Sequence, residues 1–294
     1  MYNNVSENER YNYSLLCDRE RYLWPNNKKI AVYFAINVEH FSFGDGLGAI
    51  VNKKNPEPDV ANYSWRDYGN RVGIWRLHKL SVDLQIPVSL LVNSSVYGYA
   101  PKIIDMFRSE DNEIIAHGFT NSETQADFSV EEEYEFLRKC TAIHMDNDGV
   151  IPSGWLSPWL SETSKTSDLL KKIGYKYTLN WCHDDQPTLL STDYGELLSI
   201  PYPQELNDIP AILIRSASAS DFRDMIIDHF TELAENSDDL PMVMGIAVHP
   251  YIMGQPHRIS KLRQALEYVY KSDLAWKTTP GKIAQYVLKN DFII

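Results

Sequence analysis

His249 closes the apolar run Ile246-Ala247-Val248 and opens the loop Pro250-Tyr251-Ile252-Met253-Gly254-Gln255-Pro256-His257-Arg258. An ionisable residue at the end of a buried strand is where α/β enzymes place chemistry: the strand fixes the backbone and the loop beyond it is free to shape a site. Three more apolar segments end in the same way. Residues 30–36 run into Asn37-Val38-Glu39-His40, residues 113–116 into His117-Gly118-Phe119-Thr120-Asn121, and residues 177–181 into His183-Asp184-Asp185. Brought to one mouth, these groups could take a proton, give a proton and polarise a carbonyl, which are the tasks of amide hydrolysis. Other chemistries lack their residues, since there is no Gly-x-Ser-x-Gly, His-Glu-x-x-His, Walker loop or Cys-x-x-Cys. Gly44-x-Gly46-x-Gly48 lacks the dinucleotide-binding spacing, and Cys182 and His183, as strand neighbours, point to opposite faces.

Holding four such ends together takes alternating strands and helices. Strands are expected at 29–38, 87–92, 113–116, 152–157, 177–181, 211–215 and 242–248. Between them the 3.6-residue pattern predicts helices opening at Ser64-Trp65 and spanning 102–107, 129–145, 162–173, 219–235, 259–270 and a last one around 283–288. Ser129 with Glu132 forms a capping-box signature, and Gly174 suits a left-handed helix end. About seven β-α units with short connections predict an α/β fold with a mostly parallel sheet, closed or nearly closed into a barrel. Residues 41–62 form the longest irregular piece, of the kind that covers a site.

The chain has 294 residues and a formal net charge of -12, which argues against nucleic acid or an anionic membrane surface as partner. Three scattered cysteines, Cys17, Cys140 and Cys182, suit a reducing compartment. The first residues lack a secretory signal and no apolar run approaches a membrane span, so a cytoplasmic protein is expected. Residues 29–294 are expected to form a single domain preceded by a polar, tyrosine-containing extension, 1–28, that wraps the surface or packs on a neighbouring subunit and so permits a homo-oligomer.

The set Asn37-Val38-Glu39, His117 to Asn121, Gly154-Trp155-Leu156-Ser157-Pro158 and Val248-His249-Pro250 resembles the motif series of the polysaccharide deacetylase (NodB-homology) family. Within it, the chain is most similar to the cytoplasmic branch of cofactor-independent allantoinases, cyclic imide hydrolases and peptidoglycan-deacetylase-like proteins, over residues 24–289. The resemblance implies a distorted (β/α) barrel and hydrolysis of an amide-type C–N bond in an N-acetyl sugar or a small cyclic ureide or imide. In metal-dependent members an aspartate serves as base, a second aspartate binds metal, and two histidines three residues apart complete the site. Here Asn37 stands at the base, Glu39 at the metal carboxylate, His117 at the first histidine and Asn121 at the second, while Leu156 replaces an expected arginine. Asn37 cannot take a proton and Asn121 is a poor ligand, so no cofactor is favoured. The alternative is a divalent metal such as zinc on Glu39 and His117.

The resemblance implies Glu39 as the group that orients or deprotonates water, His117 as the carbonyl polariser and His249 as the acid. Asn37, His40, Asn121, Trp155, Asp184, Asp185, Gln255 and His257 are the expected substrate-binding residues, with Trp155 an apolar wall and Asp184 or Asp185 on the same rim. The rival reading is an inactive family member that binds or scaffolds.

Overall fold

Strand β1 (Ile30–Val38) is buried along its whole length. Ile30, Val32, Phe34, Ile36 and Val38 join the core under the helices, whereas Ala31, Tyr33 and Ala35 join the interior of the curled sheet. A strand covered on both faces reads as a continuous apolar run, which is why its position was legible. The computed structural model describes residues 8–237 and 240–292.

β1 pairs in parallel with β2 (Val88–Val92), β8 (Met242–Val248) and β9 (Ala275–Lys277). Beyond β2 follow β3 (Glu113–Ala116), β4 (Gly154–Trp155), β5 (Tyr177–Thr178) and β7 (Leu197–Ser199), all parallel, and β6 (Thr188–Leu190) lies antiparallel on β7. Among the described residues the order is β6-β7-β5-β4-β3-β2-β1-β8, with β9 on β1. The seam between the two ends of the sheet, β6 and β8, is bridged by irregular chain, with Val243 N–H donating to Asp185 O at 2.8 Å and Ala247 N–H to Leu206 O at 3.0 Å. The result is the expected distorted (β/α) barrel, with nine strands among the described residues where about seven were expected.

The helices are α1 (Val60–Tyr68), α2 (Ile74–Leu84), α3 (Val96–Tyr99), α4 (Pro101–Phe107), α5 (Val130–Asp148), α6 (Thr166–Ile173), α7 (Ala219–Asn236), α8 (Pro256–Tyr270) and α9 (Pro280–Asn290). The capping box forms at the start of α5, and Gly174 ends α6 with φ 117°. A π-helical turn, Gly69–Gly73, joins α1 to α2 where the chain passes the Pro250-Tyr251 loop. A Cβ on Gly73 would stand 2.1 Å from Pro250 O, so only glycine allows this approach.

One expected strand is wrong. Residues 211–215 lie in and just after a π-helical turn, Ile209–Ile214, because Pro210 has no N–H for a ladder and suits the first turn of a helix. The three-residue strands β6, β7 and β9 were not expected, since so short a run shows no periodicity.

The N-terminal end of the barrel is plugged. Trp24 donates from Nε1 to Met242 O at 2.9 Å and packs with Tyr22, Trp276 and Tyr286. Its approach segment wraps its own chain, with Arg10 on Asp168 at 2.7 Å and Arg19 on Asp184 at 2.6 Å.

Candidate active site

Glu39, His117 and His249 lie directly beyond β1, β3 and β8, and a parallel sheet brings such ends to one side. Glu39 Oε1 is 3.6 Å from His117 Nε2 and 3.4 Å from His249 Nε2, and all three side chains are buried. Tyr251 OH donates to Glu39 Oε2 at 2.6 Å, and the Asn121 side-chain amide donates to Oε1. Burial works against the carboxylate's charge, yet the charged His249 opposite holds Glu39 well below the usual carboxylate range.

The two histidines are set up oppositely. His117 Nδ1 faces Leu156 O at 2.8 Å, and because a carbonyl only accepts, the proton sits on Nδ1. His117 Nε2 makes no hydrogen bond, so in the neutral ring its lone pair is free. His249 meets Asp208 twice: Nδ1 lies 2.6 Å from Oδ1 and the backbone N–H donates to Oδ2 at 2.8 Å. Burial opposes its charge, but Glu39 and Asp208 together outweigh burial and push His249 up to about 10. His249 therefore keeps a proton on Nε2 at neutral pH.

Whether this donor set fits a divalent metal turns on Asn121. His40 N–H donates to Asn93 Oδ1 at 2.8 Å, and Asn93 Nδ2 donates to the backbone carbonyl of His117, so two backbone groups fix the Asn93 amide. Asn93 Nδ2 also donates to Asn121 Oδ1 at 2.8 Å, which turns the Asn121 N–H towards Glu39. A zinc site needs three or more lone pairs converging, and here the position beside Glu39 and His117 is filled by N–H donors. Among the described residues, no group of three His, Cys, Asp or Glu side chains is arranged to hold a metal ion. The residues present do not fit zinc.

Other expected residues divide. Asn37 is buried at the floor, its amide bonded to Tyr202 OH at 3.0 Å, and His40 stands at the mouth, stacked on Tyr99 with centroids 4.2 Å apart. Trp155 is not a wall of the site: it is fully buried outside the barrel against Phe136 and Tyr175, because alternate residues of β4 face opposite sides. The exposed indole at the rim is Trp159, whose Nε1 donates to Asn121 O at 3.1 Å. Its turn rests on Gly118, which is left-handed (φ 66°) and whose Cβ would meet Pro158 at 2.4 Å. Asp184 and Asp185 are not on the rim. The chain turns back down the seam after β5, so Asp184 pairs with Arg19 and the Asp185 carbonyl meets Val243 near the start of β8. Gln255 and His257 lie at the start of α8: Gln255 bonds Tyr251 O at 3.3 Å, His257 is exposed, and neither touches the three central groups.

The long loop covers the mouth as expected, with Ser42 N–H on Ser122 Oγ at 2.7 Å and Leu47 N–H on Ser122 O at 2.8 Å. It leaves a cavity of only about 10 Å³ beside Glu39, bordered by His40, Phe41, Tyr63 and Arg66, whereas a larger one, about 640 Å³, lies at the other end of the barrel around Glu113. Asp208, Tyr251 and Asn93 were missed as site residues. Asn93 ends β2 as His117 ends β3, so the strand-end signal was there; Tyr251 follows His249 by two; Asp208 sits in the seam, where no periodic pattern marks it.

No family model matches this chain. It is similar to a protein of Schizosaccharomyces pombe named "Putative polysaccharide deacetylase", 25% identical over 294 residues that cover 89% of this chain and 91% of that one. It is also 22% identical over 296 residues to a peptidoglycan deacetylase of Helicobacter pylori, covering 90% of this chain and 98% of the relative. Among solved structures, Puue allantoinase superposes with a TM-score of 0.82 at 22% identity, over 92% of this chain and 94% of the other. The resemblance read from the motifs is borne out: the chain is similar along most of its length to proteins named as polysaccharide and peptidoglycan deacetylases, and it shares the fold of the allantoinase.

Proposed function

We propose that the chain hydrolyses a non-peptide amide-type C–N bond, with Glu39, His117 and His249 as catalytic residues. The observation that carries this is the pairing, across one carboxylate oxygen, of an unpartnered histidine lone pair with a histidine that keeps its proton. Relatives named for deacetylation, together with the allantoinase fold neighbour, support the bond class.

His117 Nε2 takes a proton from water as the water oxygen bonds to the carbonyl carbon. The imidazolium so formed faces Glu39 Oε1, which compensates its charge. The tetrahedral species collapses with cleavage of C–N, and His249 Nε2 gives its proton to the leaving nitrogen. The water's oxygen ends in the carboxylate product. This assigns water activation to His117 and charge compensation to Glu39, the reverse of the expectation from sequence. The reasons are that His117 has no proton on Nε2 to offer a carbonyl in its neutral form, and that Glu39, held low and accepting from Tyr251 and Asn121, is a weak base.

The loop across the mouth favours a small molecule over a polymer: a cyclic ureide or imide, or a short N-acetyl sugar. Three free cysteines support a reducing, cytoplasmic setting. His249→Ala tests the reading on a panel of hydantoin, succinimide and N,N′-diacetylchitobiose. Loss of turnover by about 10² to 10⁴ is expected for removal of a general acid. Wild-type turnover in a folded variant would remove His249 from the mechanism.

A further inference from the structure

Behind His117, the peptide group between Leu156 and Ser157 is hydrogen-bonded on both sides. Its carbonyl accepts from His117 Nδ1 at 2.8 Å, and its N–H donates to Asn180 Oδ1 at 2.7 Å. That bond fixes the orientation of the Asn180 amide, whose Nδ2 then donates to Glu162 Oε1 at 2.5 Å and to Ser157 Oγ at 2.8 Å. The Ser157 hydroxyl is held in turn by Trp155 Nε1 at 2.9 Å. Imidazole, peptide and side-chain amide thus all donate in one direction, and the chain ends on a carboxylate. Hydrogen bonds aligned head to tail polarise one another, by perhaps 10–30% per bond in condensed phase.

We infer that Glu162 is a positioning residue for His117: through Asn180 and the Leu156–Ser157 peptide its negative charge anchors the Nδ1 proton, aims the Nε2 lone pair at the reaction space and makes it a better proton acceptor. The inference rests on the proposed role of His117. Glu162 does not touch Glu39 or His249, and nothing in its own surroundings requires an acid there. Asn180 would be satisfied by an amide, Glu133 on α5 repels a second carboxylate, and Arg10 is already paired with Asp168 of α6, which Lys165 also contacts. Glu133 itself is held by Gln125, Thr163 and Thr166.

Burial pushes Glu162 up to about 7 against the bond from Asn180; Glu133 adds to the rise, and Trp181 and Arg10 oppose it. The charge that anchors the chain is therefore acquired as pH passes through neutrality.

The test is Glu162→Gln, which keeps an acceptor for Asn180 and removes the charge. On whichever panel member the wild-type protein hydrolyses fastest, kcat is expected to fall about three- to tenfold, less than the 10–100-fold that directly bonded outer-shell partners cost. KM should hold, and the rise of kcat around neutral pH should flatten. Glu162→Asp, which keeps the charge, should restore that rise. A wild-type pH profile in a folded Glu162→Gln variant would overturn the inference. If that variant does not fold, the wild-type protein decides: the His117 Nδ1–H proton resonance should move downfield as Glu162 ionises, and a resonance fixed between about pH 6 and 8 would overturn the proposal. His117→Ala separates the two readings. If it keeps wild-type turnover, the assignment of His117 fails; if it is inactive while Glu162→Gln keeps the wild-type profile, only the relay fails.

Discussion

Replacing Asp208 with Asn removes a charge from His249 while keeping the shape of its partner. Asp208 is buried and takes both Nδ1 and the backbone N–H of His249, at 2.6 and 2.8 Å. His249 is pushed from 6.5 up to about 10, a rise of about 3.5 pH units. At about 1.4 kcal/mol per pH unit this is a preference for the charged ring of about 5 kcal/mol. Burial pulls the other way, so Glu39 and Asp208 supply more than the net rise. If they share it about equally, Asp208→Asn lowers His249 by about two pH units or more. The alkaline limb of kcat/KM, where the acid loses its proton, should move down by the same amount. A nitrogen-15 NMR titration of the histidines, with His249 assigned through His249→Gln, reads the shift without any substrate. A variant whose alkaline limb and His249 titration superimpose on those of the wild type would refute the coupling of Asp208 to the acid.

Tyr251→Phe removes the donor to Glu39 Oε2, leaving a buried carboxylate oxygen unpaired, and should destabilise the fold by about 1–3 kcal/mol, read as a lowered Tm; an unchanged Tm would contradict the bond. Stability should also follow pH through the central pair. Glu39 is held low, so its contribution is present above its ordinary 4.5 and lost as pH falls; His249 is held high, so its contribution is full below 6.5 and lost as pH rises through about 10. Their joint contribution is greatest between about pH 4.5 and 6.5, and urea midpoints measured across pH should decline above that window, whereas a midpoint that rises between about pH 7 and 9 would contradict the assignment.

The barrel's main strands were legible because β1, β2 and β8 are buried on both faces and write themselves as apolar runs. The same runs pointed to Glu39, His117 and His249, and the structure brings these three within 3.6 Å of one another's polar atoms through Glu39 Oε1. Legibility failed where the chain is irregular. Strand-end logic carried 177–181 on to Asp184 and Asp185, but β5 ends at Thr178 and the chain then descends the seam. Asp208 arrives at His249 from that same seam, held by the bridge of Asn207 to Ala247, a long-range pairing that leaves no local pattern. Trp155 was misplaced by one position of strand alternation, which decides between barrel interior and helix layer. The replacement of a second histidine by Asn121 was visible as a letter, but its meaning, an amide turned to donate by Asn93, needed the folded chain.

The most direct measurement is turnover by chelator-treated wild-type protein, with zinc and other divalent metals assayed in the same sample, on hydantoin, succinimide and N,N′-diacetylchitobiose. The account predicts hydrolysis of at least one of them, at the rate of the untreated protein and with metal well below one ion per chain. Activity abolished by the chelator and restored by zinc would contradict the donor arrangement around Asn121, and no turnover of any amide or imide would contradict the hydrolase itself.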